Sequence, residues 1–67
     1  MEDIDRIIND DLKDNAYLHG NATYATRNYL MGWILSSVRC TLSRHATEKE
    51  KAHILKRVND FCDLLPT

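Results

Sequence analysis

The sequence has few cysteines, prolines and glycines, and its apolar runs are short. It contains two cysteines, one proline and two glycines among 67 residues. Cys40 and Cys62 are too few for a disulfide framework, and the acidic first residues do not resemble a secretory signal. No apolar run approaches the ~20 residues that a bilayer-spanning helix needs. We therefore expect a cytoplasmic protein with reduced thiols that does not enter a membrane.

The length is that of one small domain, 1–67. Chains of this size lie near the lower limit at which a single hydrophobic core holds without disulfides, metals or self-association. The sequence has no internal repeat, no low-complexity tract and no stretch with the alternation typical of a strand. It therefore predicts an all-α fold.

Charge is distributed unevenly, although the net charge is only −1. Residues 1–20 carry six acidic and two basic side chains, whereas residues 21–67 carry four acidic and seven basic ones. A net charge this close to zero argues against a dedicated nucleic-acid-binding protein. The two parts can attract one another within a protomer or between protomers.

Three stretches have the apolar periodicity of helices, roughly 2–15, 22–44 and 48–65. Asn21 or Thr23 can cap the second, and Thr47 with Glu50 forms a capping box at the start of the third. Asp11 interrupts the apolar stripe of the first helix. The predicted core stripes are Ile4, Ile7, Ile8 and Leu12; Leu30, Met31, Ile34, Leu35, Val38 and Leu42; and Ile54, Leu55, Val58, Phe61, Cys62 and Leu65.

The second helix is the longest and is apolar around most of its circumference. Besides its core stripe, it carries a second side made of Tyr29, Trp33, Ser37 and Cys40. Two short neighbours cannot cover both sides, and exposed apolar area costs about 25 cal/mol per Å². We expect three antiparallel helices arranged around this central helix, with the second side forming a homodimer or partner interface. In the alternative interpretation, the first helix covers that side.

No group of residues has the pattern of a catalytic, cofactor-binding or metal-binding site. Zinc accepts cysteine and histidine ligands, and the chain offers Cys40, His45, His53 and Cys62. The spacing of these residues matches no compact zinc finger. A thiol near a histidine here lacks the third group that would orient the base for nucleophilic catalysis. We therefore predict no enzymatic activity, no cofactor and no bound metal.

Charged residues suggest three further contacts. The third helix carries a predicted secondary charged contact face, which consists of Lys49, His53, Lys56 and Arg57. Because basic residues are scattered along the chain, DNA binding by a transcriptional regulator remains an alternative, although the middle helix is too long for a helix-turn-helix unit. The acidic first helix is compatible with another alternative, a phage or mobile-element inhibitor that masks a host enzyme.

Three short segments resemble a known family. They are Leu-His-Gly-Asn at 18–21, Asn-Tyr-Leu-Met-Gly-Trp-Ile at 28–34 and Leu-Ser-Arg-His-Ala-Thr-Glu-Lys-Glu at 42–50. In this order they resemble the small enterobacterial biofilm and stress regulators that include AriR (YmgB) and YcgZ. Trp33, Cys40 and the acidic start depart from that family's pattern. The resemblance implies an all-helical homodimer without enzymatic activity that regulates through signalling proteins or DNA.

Overall fold

The computed structural model describes residues 2–18 and 23–63. They form three α-helices, α1 (Glu2–Asp14), α2 (Tyr24–Leu42) and α3 (Glu48–Asp63), with a 3₁₀ turn over Ala16–Leu18. All three helices pack on one another, and no strand occurs within these two ranges. The prediction of an all-α fold is therefore confirmed. The predicted turn at 19–21, the helix residues 22 and 64–65, and the stop at Pro66 lie outside the described residues.

Each helix contributes one aliphatic stripe to the core. The buried apolar residues are Ile4, Ile7, Ile8 and Leu12 of α1; Leu30, Ile34 and Val38 of α2; and Ile54, Val58 and Cys62 of α3. Met31, Leu35, Leu42 and Phe61 are partly buried and pack against this cluster. The spacing of three or four residues keeps each stripe on one face of its helix, so the core lies between the three helices.

Leu55 corrects the predicted core stripe of α3. Its side chain is 46% exposed, whereas the neighbouring Ile54 is fully buried. One step along a helix is a rotation of about 100°, which moves Leu55 from the centre of the stripe to its edge.

The start of α2 is capped by Thr23, one of the two predicted candidates. The backbone N–H of Thr26 donates to Thr23 Oγ1 at 3.1 Å, and Thr23 itself has an extended backbone. Asn21, the other candidate, lies outside the described residues. The helix ends at Leu42, and Ser43 after it adopts the left-handed conformation with φ of 55°. This conformation ends the α-helical hydrogen-bond pattern before the connection to α3.

The predicted capping box at the start of α3 is confirmed. The N–H of Glu50 donates to Thr47 Oγ1 at 3.1 Å, and the N–H of Thr47 donates to Glu50 Oε1 at 2.9 Å. Arg44 adds a bidentate pair with the same carboxylate, at 2.7 and 2.9 Å. The hydrogen bonds from Arg44 and from the Thr47 backbone lower the pKa of Glu50 from 4.5 to about 2. One carboxylate therefore links the α2–α3 connection to the first turn of α3.

Arg27 joins the start of α2 to the end of α3. Its guanidinium donates to Asn59 Oδ1 at 2.6 Å and to Asp63 Oδ1 at 2.8 Å. The α2–α3 connection is at the opposite end of both helices, so α2 and α3 run in opposite directions.

Val58→Asp should unfold the protein. The Val58 side chain is fully buried between the helices, and a carboxylate at this position would have to lose its hydration without gaining a partner. We expect a loss of at least about 3 kcal/mol, a large part of the ~5 kcal/mol typical of a domain this size. Circular dichroism during urea unfolding measures the change.

Leu55→Asp is the matched control, because it places the same charge on the same helix at an exposed position. Its free energy of unfolding should change by less than about 1 kcal/mol. A Val58→Asp protein as stable as the Leu55→Asp protein would contradict the packing of α3.

Acid should remove the stabilisation that Glu50 provides. Because the pKa of Glu50 is lower in the folded chain, its contribution is fully present above the ordinary value of 4.5 and is lost as the pH falls toward about 2. Glu50→Gln should therefore melt at a lower temperature than the unmodified protein at pH 7, and the difference should disappear by about pH 2. Glu48→Gln, at an exposed position in the same turn, serves as the control. Equal melting of Glu50→Gln and Glu48→Gln at pH 7 would contradict this role.

Candidate functional site

The second side of α2 is open to solvent. Tyr29 is 42% exposed and Trp33 is 43% exposed. Cys40 is also exposed, and Ser37 is half-buried. The alternative interpretation, in which the first helix covers this side, is therefore wrong. We call this surface the outer α2 face; it consists of Tyr29, Gly32, Trp33, Ser36, Ser37, Cys40 and Thr41, which line one shallow groove of 480 Å³.

The two aromatic rings on this face stack against each other. The ring centroids of Tyr29 and Trp33 are 5.8 Å apart, and their planes differ by 13°. Residues four apart meet on the same side of a helix, which brings the rings together one turn apart. The pair forms one apolar patch in which each ring packs against the other in the absence of any partner.

Tyr17 extends the aromatic surface beyond α2, and the sequence analysis did not identify it. It lies in the 3₁₀ turn after α1 and is 72% exposed. Partial desolvation raises the pKa of Tyr29, and its interaction with the nearby Tyr17 side chain raises it further. This contact places the Tyr17 side chain beside the outer α2 face. Tyr17 belongs to no helical stripe, so periodicity gave no signal for it.

The groove beside the aromatic pair has a floor of small residues. A Cβ atom added at Gly32 would meet no other atom within 4 Å. Gly32 therefore does not accommodate a close approach of another helix within the chain. With Ser36 one turn further on, it leaves a shallow depression that can accept side chains from outside.

The outer α2 face is nearly free of charge, unlike the outer surfaces of the other helices. Arg39 is the one charged side chain among the exposed residues of α2. The exposed positions of α1 are six charged residues and Asn9, and six of the eight exposed residues of α3 are charged. Solvent-facing helix surfaces are usually polar and charged, so this face is the exception in the fold.

The predicted charged contact face on α3 is divided between two roles. His53 Nε2 lies 2.6 Å from Asp5 Oδ1 of α1, and Arg57 Nη1 lies 3.3 Å from the same oxygen. The hydrogen bond with His53, together with the positive charge of Arg57, lowers the pKa of Asp5. Lys49 and Lys56 are exposed. Half of the predicted face is therefore used to hold α1 against α3, and His53 is half-buried rather than solvated.

Several of the scattered basic residues lie beside acidic side chains. Arg44 pairs with Glu50, as described above, and Lys51 lies 3.2 Å from Glu48. Lys56 lies 2.9 Å from Asp60. Pairing of this kind reduces the positive field that attracts a phosphate backbone. Arg39 is exposed on α2 and is separate from these pairs.

The residues considered for metal binding do not come together. In the described parts of the chain, no three His, Cys, Asp or Glu side chains are placed to hold a metal ion. Cys62 is buried in the core, and this burial raises the pKa of its thiol, whereas Cys40 is exposed on α2. None of the described helices is long and apolar enough to cross a membrane.

Comparisons of the chain with protein-family models, with curated proteins and with solved structures gave no match.

The emission of Trp33 should report on the outer α2 face, because it is the only tryptophan in the chain. At dilutions where light scattering gives the monomer mass, acrylamide should quench the emission of the folded protein. Tyr29→Ala should increase the quenching, because the stacked ring shields one face of the indole. Tyr24→Ala removes an aromatic ring that is 80% exposed and should change nothing. Emission that stays protected from acrylamide until the monomer is unfolded would contradict the exposure of Trp33.

Proposed function

We propose that the protein is a small, non-enzymatic regulatory module of the cytoplasm that forms a homodimer through the outer α2 face and acts by binding a protein partner. The observation that carries the proposal is the exposed, stacked pair of Tyr29 and Trp33 on a helix surface with one charge. Tyrosine and tryptophan are the residues that most often anchor protein interfaces. Ser37 and Cys40 extend the contact along the helix, and Tyr17 widens it.

The charge pattern supports a second copy as the occupant of this face. In a two-fold symmetric dimer the same patch meets itself, so each charge in the patch faces a surface that carries the same charge. The outer α2 face has little to repel its own copy. The exposed surfaces of α1 and α3 would bring many charges into the contact, and burying them unpaired is costly.

Dimerisation would also give α2 the central position that its composition predicts. The helix would then have α1 and α3 of its own chain on one side and the second copy on the other. Its 19 residues span about 28 Å at 1.5 Å per residue, which gives two paired α2 helices a long seam. Because Gly32 and Ser36 are small residues, side chains of the opposite copy would reach the helix backbone there.

The regulatory part of the proposal has a separate basis. A role as a connector in stress or biofilm signalling is what the resemblance to the small enterobacterial regulators implies. The charged faces of α1 and α3 remain available to a partner protein in such a dimer, including exposed Lys49 and Lys56. Among the described residues, no specific contact favours the inhibitor or DNA-binding alternatives.

Trp33→Ala should weaken the dimer far more than it destabilises the folded monomer. Loss of an interface anchor typically costs ~2 kcal/mol or more, which is roughly a thirtyfold increase in Kd. The indole contributes less to the core because nearly half of it is exposed in the monomer. Sedimentation equilibrium over a range of concentrations measures the Kd, and thermal unfolding at high dilution measures the stability of the monomer.

Tyr24→Ala is the matched control, because it removes an exposed ring from the same helix outside the groove. Its Kd should remain within a factor of two of the original. An unchanged Kd for Trp33→Ala, with a large drop in the melting temperature of the monomer, would show that Trp33 serves only the core.

A further inference from the structure

Three polar residues are buried at the end of the bundle where α1 meets the start of α2. Asn15 is 1% exposed, Thr26 is 7% exposed and Asp11 is 8% exposed. Asn15 Nδ2 donates to the backbone oxygen of Asp11 at 2.8 Å, and the Thr26 hydroxyl lies 3.0 Å from that of Thr23. Asp11 Oδ2 has no hydrogen-bond partner, and within the described residues it is the one buried side-chain nitrogen or oxygen in that state.

The position of Asp11 is unfavourable for two independent reasons. Burying a carboxylate oxygen without a compensating hydrogen bond costs free energy. Asp11 also lies in the last turn of α1, where the negative end of the helix dipole repels a carboxylate. Both effects destabilise the docked position of α1. The desolvation cost disappears when α1 separates from the other helices and water reaches the side chain.

The polar contacts that hold α1 against α3 lie in its first two turns. Asp5 pairs with His53 and Arg57 of α3, and Asn9 accepts a hydrogen bond from Arg57. Four aliphatic side chains, Ile4, Ile7, Ile8 and Leu12, provide the remaining contact with the core. Beyond Asn9, no polar contact between α1 and another helix is present in the described residues.

Polar contacts involving α2 and α3 occur at both ends of that pair. Arg27 connects the start of α2 to Asn59 and Asp63 at the end of α3. At the opposite end, Arg44 and the capping box share the Glu50 carboxylate. The α2–α3 pair thus has polar contacts at both ends and apolar contacts between them.

We infer that α1 undocks reversibly, as a unit, from an α2–α3 pair that stays folded. The burial of Asp11 determines the equilibrium between the docked and undocked positions of α1. Undocking exposes the apolar stripes of α2 and α3, including Leu30, Ile34 and Ile54, which are inaccessible in the closed bundle. This surface is distinct from the outer α2 face, and the inference does not depend on dimerisation. Global unfolding experiments do not detect local opening of this kind, but native-state amide hydrogen exchange does.

Native-state amide hydrogen exchange of the full chain, followed by NMR, tests the inference. Slowly exchanging amides in the middle of α1 should exchange at least ~10-fold faster than those in the middle of α3. Asp11→Asn removes the charge with little change in shape, and it should slow the exchange of α1 by ~10-fold while leaving α3 unchanged. Asp11→Leu replaces the carboxylate with an apolar side chain and should act in the same direction.

Asp14→Asn is the control, since it removes one negative charge from the same last turn at an exposed position. It should change the exchange of α1 by no more than about a factor of three, which corresponds to the weak dipole effect alone. Equal protection of α1 and α3 in the unmodified protein would overturn the inference. So would α1 exchange that neither Asp11 variant slows, or that Asp14→Asn slows as much as Asp11→Asn does.

Discussion

The packing of one side of α2 against two helices determines the rest of this structure. Leu30, Ile34 and Val38 are fully buried, and their contacts with α1 and α3 fix the rotation of α2 about its axis. Tyr29 immediately precedes Leu30, and Trp33 immediately precedes Ile34. Since each step is a rotation of about 100°, burying the aliphatic residues turns the aromatic ones out of the core. The same interaction that folds the monomer therefore exposes its stacked aromatic pair.

The polar contacts determine how the three helices share this core. Arg44 and Glu50 order the connection between α2 and α3, and Arg27 ties their far ends together. Asp5 is held by His53 and Arg57, which positions the start of α1. Most of these groups are partly exposed, so each contributes modestly. None of these charged side chains belongs to the outer α2 face.

Periodicity predicted the core because burial follows helix geometry. All four stripe residues of α1 are buried, and Leu30, Ile34 and Val38 are the buried centre of the α2 stripe. The capping box was predictable because Thr47 and Glu50 are close in sequence and interact through local backbone geometry. Leu55 was misplaced because it lies at the border of its stripe, where a small rotation of α3 decides between burial and exposure.

The contacts missing from the sequence analysis depend on how separate segments meet. Asp5 and His53 are 48 positions apart, and their pairing depends on how far α1 is shifted along α3, which no local pattern specifies. Tyr17 reaches Tyr29 from a short turn that has no helical periodicity. Arg44 joins the capping box because the α2–α3 connection folds back on the first turn of α3. Periodicity identified the exposed side of α2, but the full extent of its aromatic surface required the packed structure.

Dilution of isotopically labelled protein, followed by NMR, tests the central claim most directly, because it identifies the surface through which two copies meet. We predict that chemical shifts change with concentration at Tyr29, Gly32, Trp33, Ser36 and Cys40, together with Tyr17. Exposed residues of α3, such as Lys49 and Lys56, should keep constant shifts in the same experiment. Shifts that are independent of concentration while the solution mass stays that of a monomer, or changes confined to α1 and α3, would contradict the account.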